Sequence, residues 1–223
     1  MKKILVVILF LFHFGDVYSG ELSNCPQFYY NSIKPKSVIV EDTVELCMDK
    51  FVIEFSKREK TPLWSAEYLS RNDVIESKTR VRTSRYYTEK RLPKHLQSKN
   101  SDYDKSGYDK GHLTPFKDQG MSSDINSLAN IVPQAPRLNR IKWEQLESRI
   151  REDAIINGGI FIVTGVSFKE TKKIGTGIPV PNLIYKVVFY PLMIKAFIAE
   201  NRDDADVIEV PISVLKQYTG IEF

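Results

Sequence analysis

Two neighbouring stretches rich in apolar and aromatic residues, 51–55 (Phe-Val-Ile-Glu-Phe) and 63–69 (Leu-Trp-Ser-Ala-Glu-Tyr-Leu), each read as a β-strand. The polar run 56–62 between them predicts the turn of a hairpin. Trp64 at its mouth is read as a core residue in preference to a base-stacking surface. Further on, the unbroken apolar run 160–165 has the pattern of a buried strand, and 183–190 with 193–199 predicts another strand pair. A charged amphipathic helix is expected from about residue 139 to 153, with Asn157-Gly158-Gly159 as its stop. A short closing helix is expected at 212–218, ended by Thr219-Gly220. The segments 80–93, 98–107 and 169–181 read as polar loops, and Gly175-Thr176-Gly177 as a turn, being too short for a nucleotide-binding glycine motif.

Composition narrows this picture. A chain of 223 residues with 42% hydrophobic content can bury one substantial core and is too short for two comfortable domains. Lys2 and Lys3 ahead of the apolar run 4–14 predict a secretory signal over 1–19, cut after Ser19 or Gly20. That run falls well short of the ~20 residues a membrane span needs. The expectation is therefore a secreted or periplasmic protein whose mature form makes no membrane contact. It divides into the signal, an N-terminal segment at 20–48 and one domain at 49–223. Cys25 and Cys47 most simply pair in an oxidising compartment. A zinc site would have only His95 and His112 to add to them, at no suitable spacing.

The formal charge of +4, which would fall to +3 without the signal, permits a nucleic-acid partner without requiring one. Lys78, Arg80, Arg82, Arg85, Lys90, Arg91 and Lys94 concentrate ahead of the most chemically able stretch. They read either as a solvated face or as an arm that grips phosphate.

That stretch runs from Tyr108 to Glu147. Gly111 allows a tight approach of backbone to His112, and Pro115 stops any helix, so His112 is expected on a constrained turn. Lys110 puts a cation two residues from an acid–base group, an arrangement suited to a phosphate-like anion. Asn139 and Glu147 are eight residues apart. At about 100° per residue they fall within about 80° of one another on an α-helix, offering a neutral oxygen and a carboxylate to one side.

The run Asp109-Lys110-Gly111-His112, then Asn130-Ile131-Val132-Pro133-Gln134, then Asn139 and Glu147, resembles the DNA/RNA non-specific endonucleases of the ββα-metal superfamily, the group of Serratia-type nuclease and endonuclease G. The resemblance is specific in this central block and extends from about residue 49 to the C-terminus. It implies an α+β fold with a central, mostly antiparallel sheet and flanking helices. It also implies a divalent-metal-dependent endonuclease that hydrolyses phosphodiester bonds of DNA and RNA without sequence specificity, by a one-metal mechanism.

On that resemblance His112 is the general base and Asn139 the metal ligand, and Glu147 orients water around the ion. Arg85, with Arg82 close behind, and Lys110 bind phosphate, Asn130 supports the site by hydrogen bonds, and Asp109 and Gly111 brace the turn. A lone amide ligand leaves most of the coordination to water, which suits Mg²⁺, with Mn²⁺ as a second candidate. The family usually has Arg where Lys110 stands; Lys keeps the charge and loses the bidentate fork.

Two other functions compete with this one. A Ser or Cys hydrolase fails because Gly165-Val166-Ser167 lacks the second Gly of a nucleophile elbow and both cysteines look structural. A catalytically impaired, nuclease-like nucleic-acid binder is the stronger alternative. The oligomeric state is left open, and a homodimer is compatible with the sequence.

Overall fold

Phe51, Ile53 and Phe55 lie on one side of their strand and Val52 and Glu54 on the other, yet all five are buried. A strand closed on both faces belongs to the middle layer of a three-layer structure. A computed structural model describes residues 23–37, 42–81, 85–169 and 172–223. The expected signal at 1–19 lies outside the described residues.

The strands in the first half of the chain are β1 (Lys36–Ser37), β2 (Thr43–Cys47), β3 (Phe51–Ser56), β4 (Thr61–Ser70), β5 (Asp109–His112) and β6 (Ile131–Gln134). Those in the second half are β7 (Gly159–Ser167), β8 (Lys173–Ile174), β9 (Ile178–Pro179), β10 (Leu183–Phe189), β11 (Ile194–Glu200), β12 (Ile208–Val210) and β13 (Ile221–Glu222). The α-helices are α1 (Arg71–Ser77), α2 (Phe116–Gln119), α3 (Glu144–Asn157) and α4 (Ile212–Thr219). Seven strands form one antiparallel sheet in the order β12-β11-β10-β7-β4-β3-β2. The predicted hairpin is β3–β4, and the three later apolar runs are β7, β10 and β11.

The two faces of this sheet differ. On one, Trp64, Ala66, Val163, Tyr185 and Val187 pack against Cys25, Phe28 and Tyr29 of the N-terminal segment and Leu215 of α4. Cys25 and Cys47 form a disulfide that ties this segment to β2. Beside it Glu45 accepts hydrogen bonds from Tyr29 Oη at 2.8 Å and from Ser23 Oγ at 2.9 Å. On the other face, Leu69, Ile160, Ile162, Ile184 and Val188 pack against Val74 of α1 and Leu146, Ile150 and Ala154 of α3. That second face is interrupted by polar side chains. Ser65 pairs in register with Thr164, Thr164 pairs with Lys186, Glu67 follows two residues after Ser65, and all four are buried.

The helix stops act as the sequence predicts: Gly158 and Gly220 adopt left-handed backbone at φ +81° and +66° at the ends of α3 and α4. Helix α1 is capped by a reciprocal box, with the Ser70 side chain accepting from the Asp73 amide and Asp73 accepting from the Ser70 amide. No helix among the described residues is long and apolar enough to cross a membrane.

Candidate active site

His112 is not on an isolated turn. It ends β5, which pairs antiparallel with β6 so that Asp109, Lys110, Gly111 and His112 lie opposite Gln134, Pro133, Val132 and Ile131. This corrects the expectation of a constrained turn, and the reason is side-chain packing. A Cβ on Gly111 would lie 2.1 Å from Gln134 Oε1, so glycine lets the Gln134 side chain close over the ribbon. The motif's glycine and glutamine are therefore two halves of one contact.

Asn130, wholly buried, fixes the backbone on the C-terminal side of His112. Its Oδ1 accepts from the Thr114 amide at 3.0 Å, and its Nδ2 donates to the carbonyls of Thr114 at 2.9 Å and Ile125 at 3.2 Å. The Asn130 carbonyl takes the Leu113 amide at 2.9 Å. With its amide so committed, Asn130 braces the chain as it leaves the histidine. Thr114 Oγ1 donates to Ser65 Oγ at 3.0 Å, joining this ribbon to the polar strip of the main sheet.

The imidazole is oriented by a residue that the sequence did not single out. His112 Nε2 lies 3.2 Å from the Asn126 side-chain amide, which pins the ring at that nitrogen. The Tyr86 ring packs at 5.5 Å from the imidazole, centre to centre. Lys110, on the same side of the ribbon as His112, holds its ammonium 5.5 Å from the centre of the Tyr86 ring and 5.3 Å from that of Tyr103. These rings restrict a side chain that lacks the fork of an arginine.

A cleft of about 400 Å³ opens beside these groups, lined by Tyr86, Tyr108, Lys110, Asn139 and Arg140 among others. Asn139 reaches it from a π-helical turn, Leu138–Trp143, that leads into α3. The uniform α-helix expected here is thus replaced by a widened first turn, anchored by the buried Leu138 and Trp143. Asn139 Nδ2 donates to Asp109 Oδ2 at 2.9 Å, and Arg140 grips both oxygens of the same carboxylate, at 2.8 and 2.5 Å. Asp109 thus ties β5 to the π-helical turn, and by holding the amide nitrogen it turns the Asn139 oxygen the other way.

Glu147 lies in the first turn of α3. Its carboxylate is nearly buried between α3 and the sheet, 3.8 Å from Lys186 Nζ. Burial raises its pKa to about 7; Lys186 opposes the rise and Asp118 adds to it. Asp118 is itself paired with Arg151 at 3.0 Å. Arg85 is exposed beside Tyr86, and Arg82 lies outside the described residues. The structure therefore brings Lys110, Asp109 and Asn139 to the lining of one cleft and His112 to the end of the strand that carries Lys110, while Glu147 lies between α3 and the sheet and Arg85 is exposed.

The donor set fits a hard, largely hydrated cation. Asn139 offers a neutral oxygen at an open cleft, with room for water. The group of metal-ligating side chains found among the described residues is Cys25, Glu45 and Cys47, whose cysteines are in the disulfide. A cage of several carboxylates is absent among the described residues, so a metal here keeps water as most of its ligands.

Comparison with known proteins agrees with this geometry. The family model described as DNA/RNA non-specific endonuclease matches residues 31–223. The mitochondrial nuclease EXOG of Xenopus laevis is 28% identical over 172 residues, covering 67% of this chain and 48% of its own. Mitochondrial Nuclease 1 of Schizosaccharomyces pombe is 26% identical over 199 residues, covering 75% and 62%. The chain thus spans about half to three-fifths of the length of these relatives. A crystal structure of the EndoG/EndoGI complex superposes with a TM-score of 0.71 over 82% of this chain and 86% of that one, at 19% identity, and so shares the ββα-metal fold.

The relatives' names correct one expectation. They are mitochondrial proteins, which contradicts the secreted or periplasmic location read from the N-terminus. Two lysines ahead of an apolar run are the whole ground for that reading. On the family match, the fold and the site's motif together, the chain belongs to the DNA/RNA non-specific endonuclease family.

Proposed function

We propose that the protein is a divalent-metal-dependent endonuclease that hydrolyses phosphodiester bonds of DNA and RNA without regard to sugar or sequence. The observation that carries this reading is the junction of an oriented histidine and an oriented amide. His112 is held by Asn126 at the end of β5, and on the same strand Lys110 and Asp109, with Asn139 held by Asp109, line one cleft. In this reading the 20–48 segment supports a nuclease unit that begins near residue 49.

Phosphodiester hydrolysis needs a base for the attacking water, compensation for the added charge of the transition state and help for the leaving oxygen. His112 takes the proton of the water, and its contact with Asn126 keeps the ring in place as it becomes cationic. Lys110, fixed between Tyr86 and Tyr103, binds a non-bridging phosphate oxygen, and the exposed Arg85 meets a phosphate further along the strand. Asn139 would hold the cation, Mg²⁺ by its preference for oxygen ligands and retained water, with Mn²⁺ able to replace it. When bound, the ion supplies charge compensation at the phosphate and the leaving oxygen. Glu147, ionised, orients water on the helix side of the cleft. Contacts of this kind reach phosphate, not base edges, so little sequence preference results.

Incubating the protein with plasmid DNA and with a single-stranded RNA, with Mg²⁺ and with excess chelator, tests the reading. Both polymers are expected to be degraded with the metal and to stay intact with chelator. Salt-dependent binding with no cleavage under any divalent ion would instead establish the nucleic-acid-binding alternative.

A further inference from the structure

Beneath Glu147 the sheet carries a cation that the reaction described above does not use. Lys186, in the middle of β10, is fully buried. Its ammonium donates to Thr164 Oγ1 at 2.6 Å, lies 3.8 Å from Glu147 Oε1 and sits 5.9 Å from the centre of the Trp143 ring. Removing an ammonium from water costs several kcal/mol even after relaxation, and an apolar residue of similar volume is commonly as stable or more so. A charge at this position therefore calls for a use other than stability.

The surrounding groups show which partner the charge serves. Asp118 of α2 is taken by Arg151, which also reaches Glu144 at 3.0 Å, and Glu144 is paired with Lys117 at 2.7 Å. Glu67 of β4 is 1% exposed, and neither of its carboxyl oxygens has a hydrogen-bond partner. Burial first, and the charge of Asp118 second, hold its pKa well above the carboxylate range. Of the three buried carboxyl groups that feel the charge of Lys186 from β4, α2 and α3, Glu147 is the one at ion-pair distance from its ammonium among the described residues.

We infer that Lys186 is a positioning residue for the nuclease reaction: anchored by Thr164 on the sheet, it fixes the Glu147 carboxylate in place. This rests on the proposed nuclease function and adds to it a residue that touches neither substrate nor metal. Trp143 ends the same π-helical turn that carries Asn139. Lys186 thus lies under both the turn that presents the amide and the helix that presents the carboxylate. Without its charge, burial would leave Glu147 protonated at neutral pH, and water in the cleft would lose a charged acceptor.

The test compares Lys186→Met, Glu147→Gln and the double variant with the unaltered protein, measuring kcat and KM on DNA with Mg²⁺ from about pH 5 to about pH 9, and urea unfolding without metal. Lys186→Met is expected to lower kcat at neutral pH by about tenfold or more, with KM within about twofold. It should also move the acid limb of the profile upward by about one pH unit or more, so that activity returns in alkali. In the Glu147→Gln background the same change should alter kcat by less than about twofold. An unmoved acid limb, or losses that multiply in the double variant, would overturn the inference.

If Lys186→Met alone does not fold, the pairing is read from stability. The double variant is then expected to fold, because the unpaired carboxylate is gone, and a double variant as unfolded as the single one would equally overturn it. Failure of the unaltered protein to cut DNA or RNA would count against the nuclease reading alone, since the stability comparison of this pair does not depend on cleavage.

Discussion

The two faces of the central sheet are made from the same strands and carry different work. Facing the N-terminal segment and α4, β4 and β10 present Trp64, Ala66, Tyr185 and Val187, closed by the Cys25–Cys47 disulfide. Facing α3 and the β5–β6 ribbon, the intervening residues of the same strands include Ser65, Glu67 and Lys186. Since strand side chains alternate, one strand can hold the fold with its odd or even positions and serve the site with the others. The apolar face gains stability from burial. The polar face gives some of it up to set charges under a cleft.

Substitutions can sharpen that contrast. The largest stability effect is expected on the apolar face. Trp64→Ala, which empties a 1%-exposed site, should cost about 3–5 kcal/mol in denaturant unfolding while the folded fraction keeps its kcat within about twofold. A comparable loss of kcat per folded molecule would mean that the two faces are not separable.

A smaller effect of opposite character is expected from Glu147→Gln on the polar face. The folded Glu147 carboxyl binds its proton more tightly than an unfolded glutamate, with a pKa of about 7 against 4.5. The stability it contributes is complete below about pH 4.5 and is lost as pH rises through about 7. In metal-free protein, the stability of the unaltered chain relative to Glu147→Gln should therefore fall by roughly 1–3 kcal/mol between about pH 5 and about pH 8. A constant difference across that range would show that Glu147 does not titrate as its burial implies. In the proposed reaction the same ionisation is expected to raise cleavage with pH, so stability and activity should run in opposite directions through this one group.

The apolar face was the legible one. Strands β3, β4, β7, β10 and β11, the core position of Trp64 and both glycine stops follow from local pattern. The chemical letters His112, Asn139 and Glu147 were legible as a spaced motif. Their support was not. Strands β5 and β6 are four residues each, and Asp-Lys-Gly-His and Ile-Val-Pro-Gln carry no alternation, so their pairing comes from tertiary contact. The π-helical turn has no cue in a pattern read at 3.6 residues per turn. Asn126 looks like any loop asparagine until the fold brings it to His112. Lys186 left one trace, a single charge inside the apolar run Leu-Ile-Tyr-Lys-Val-Val-Phe, and only the position of Glu147 shows what it faces.

In the proposed reaction the chemistry resides in His112 as oriented by the β5–β6 ribbon. The most direct measurement is the rate of plasmid cleavage with Mg²⁺ by His112→Ala beside the unaltered protein, with thermal unfolding of both. The account predicts a loss of about 10²–10⁴-fold in rate with an unchanged unfolding midpoint. Cleavage by His112→Ala at the rate of the unaltered protein would contradict it.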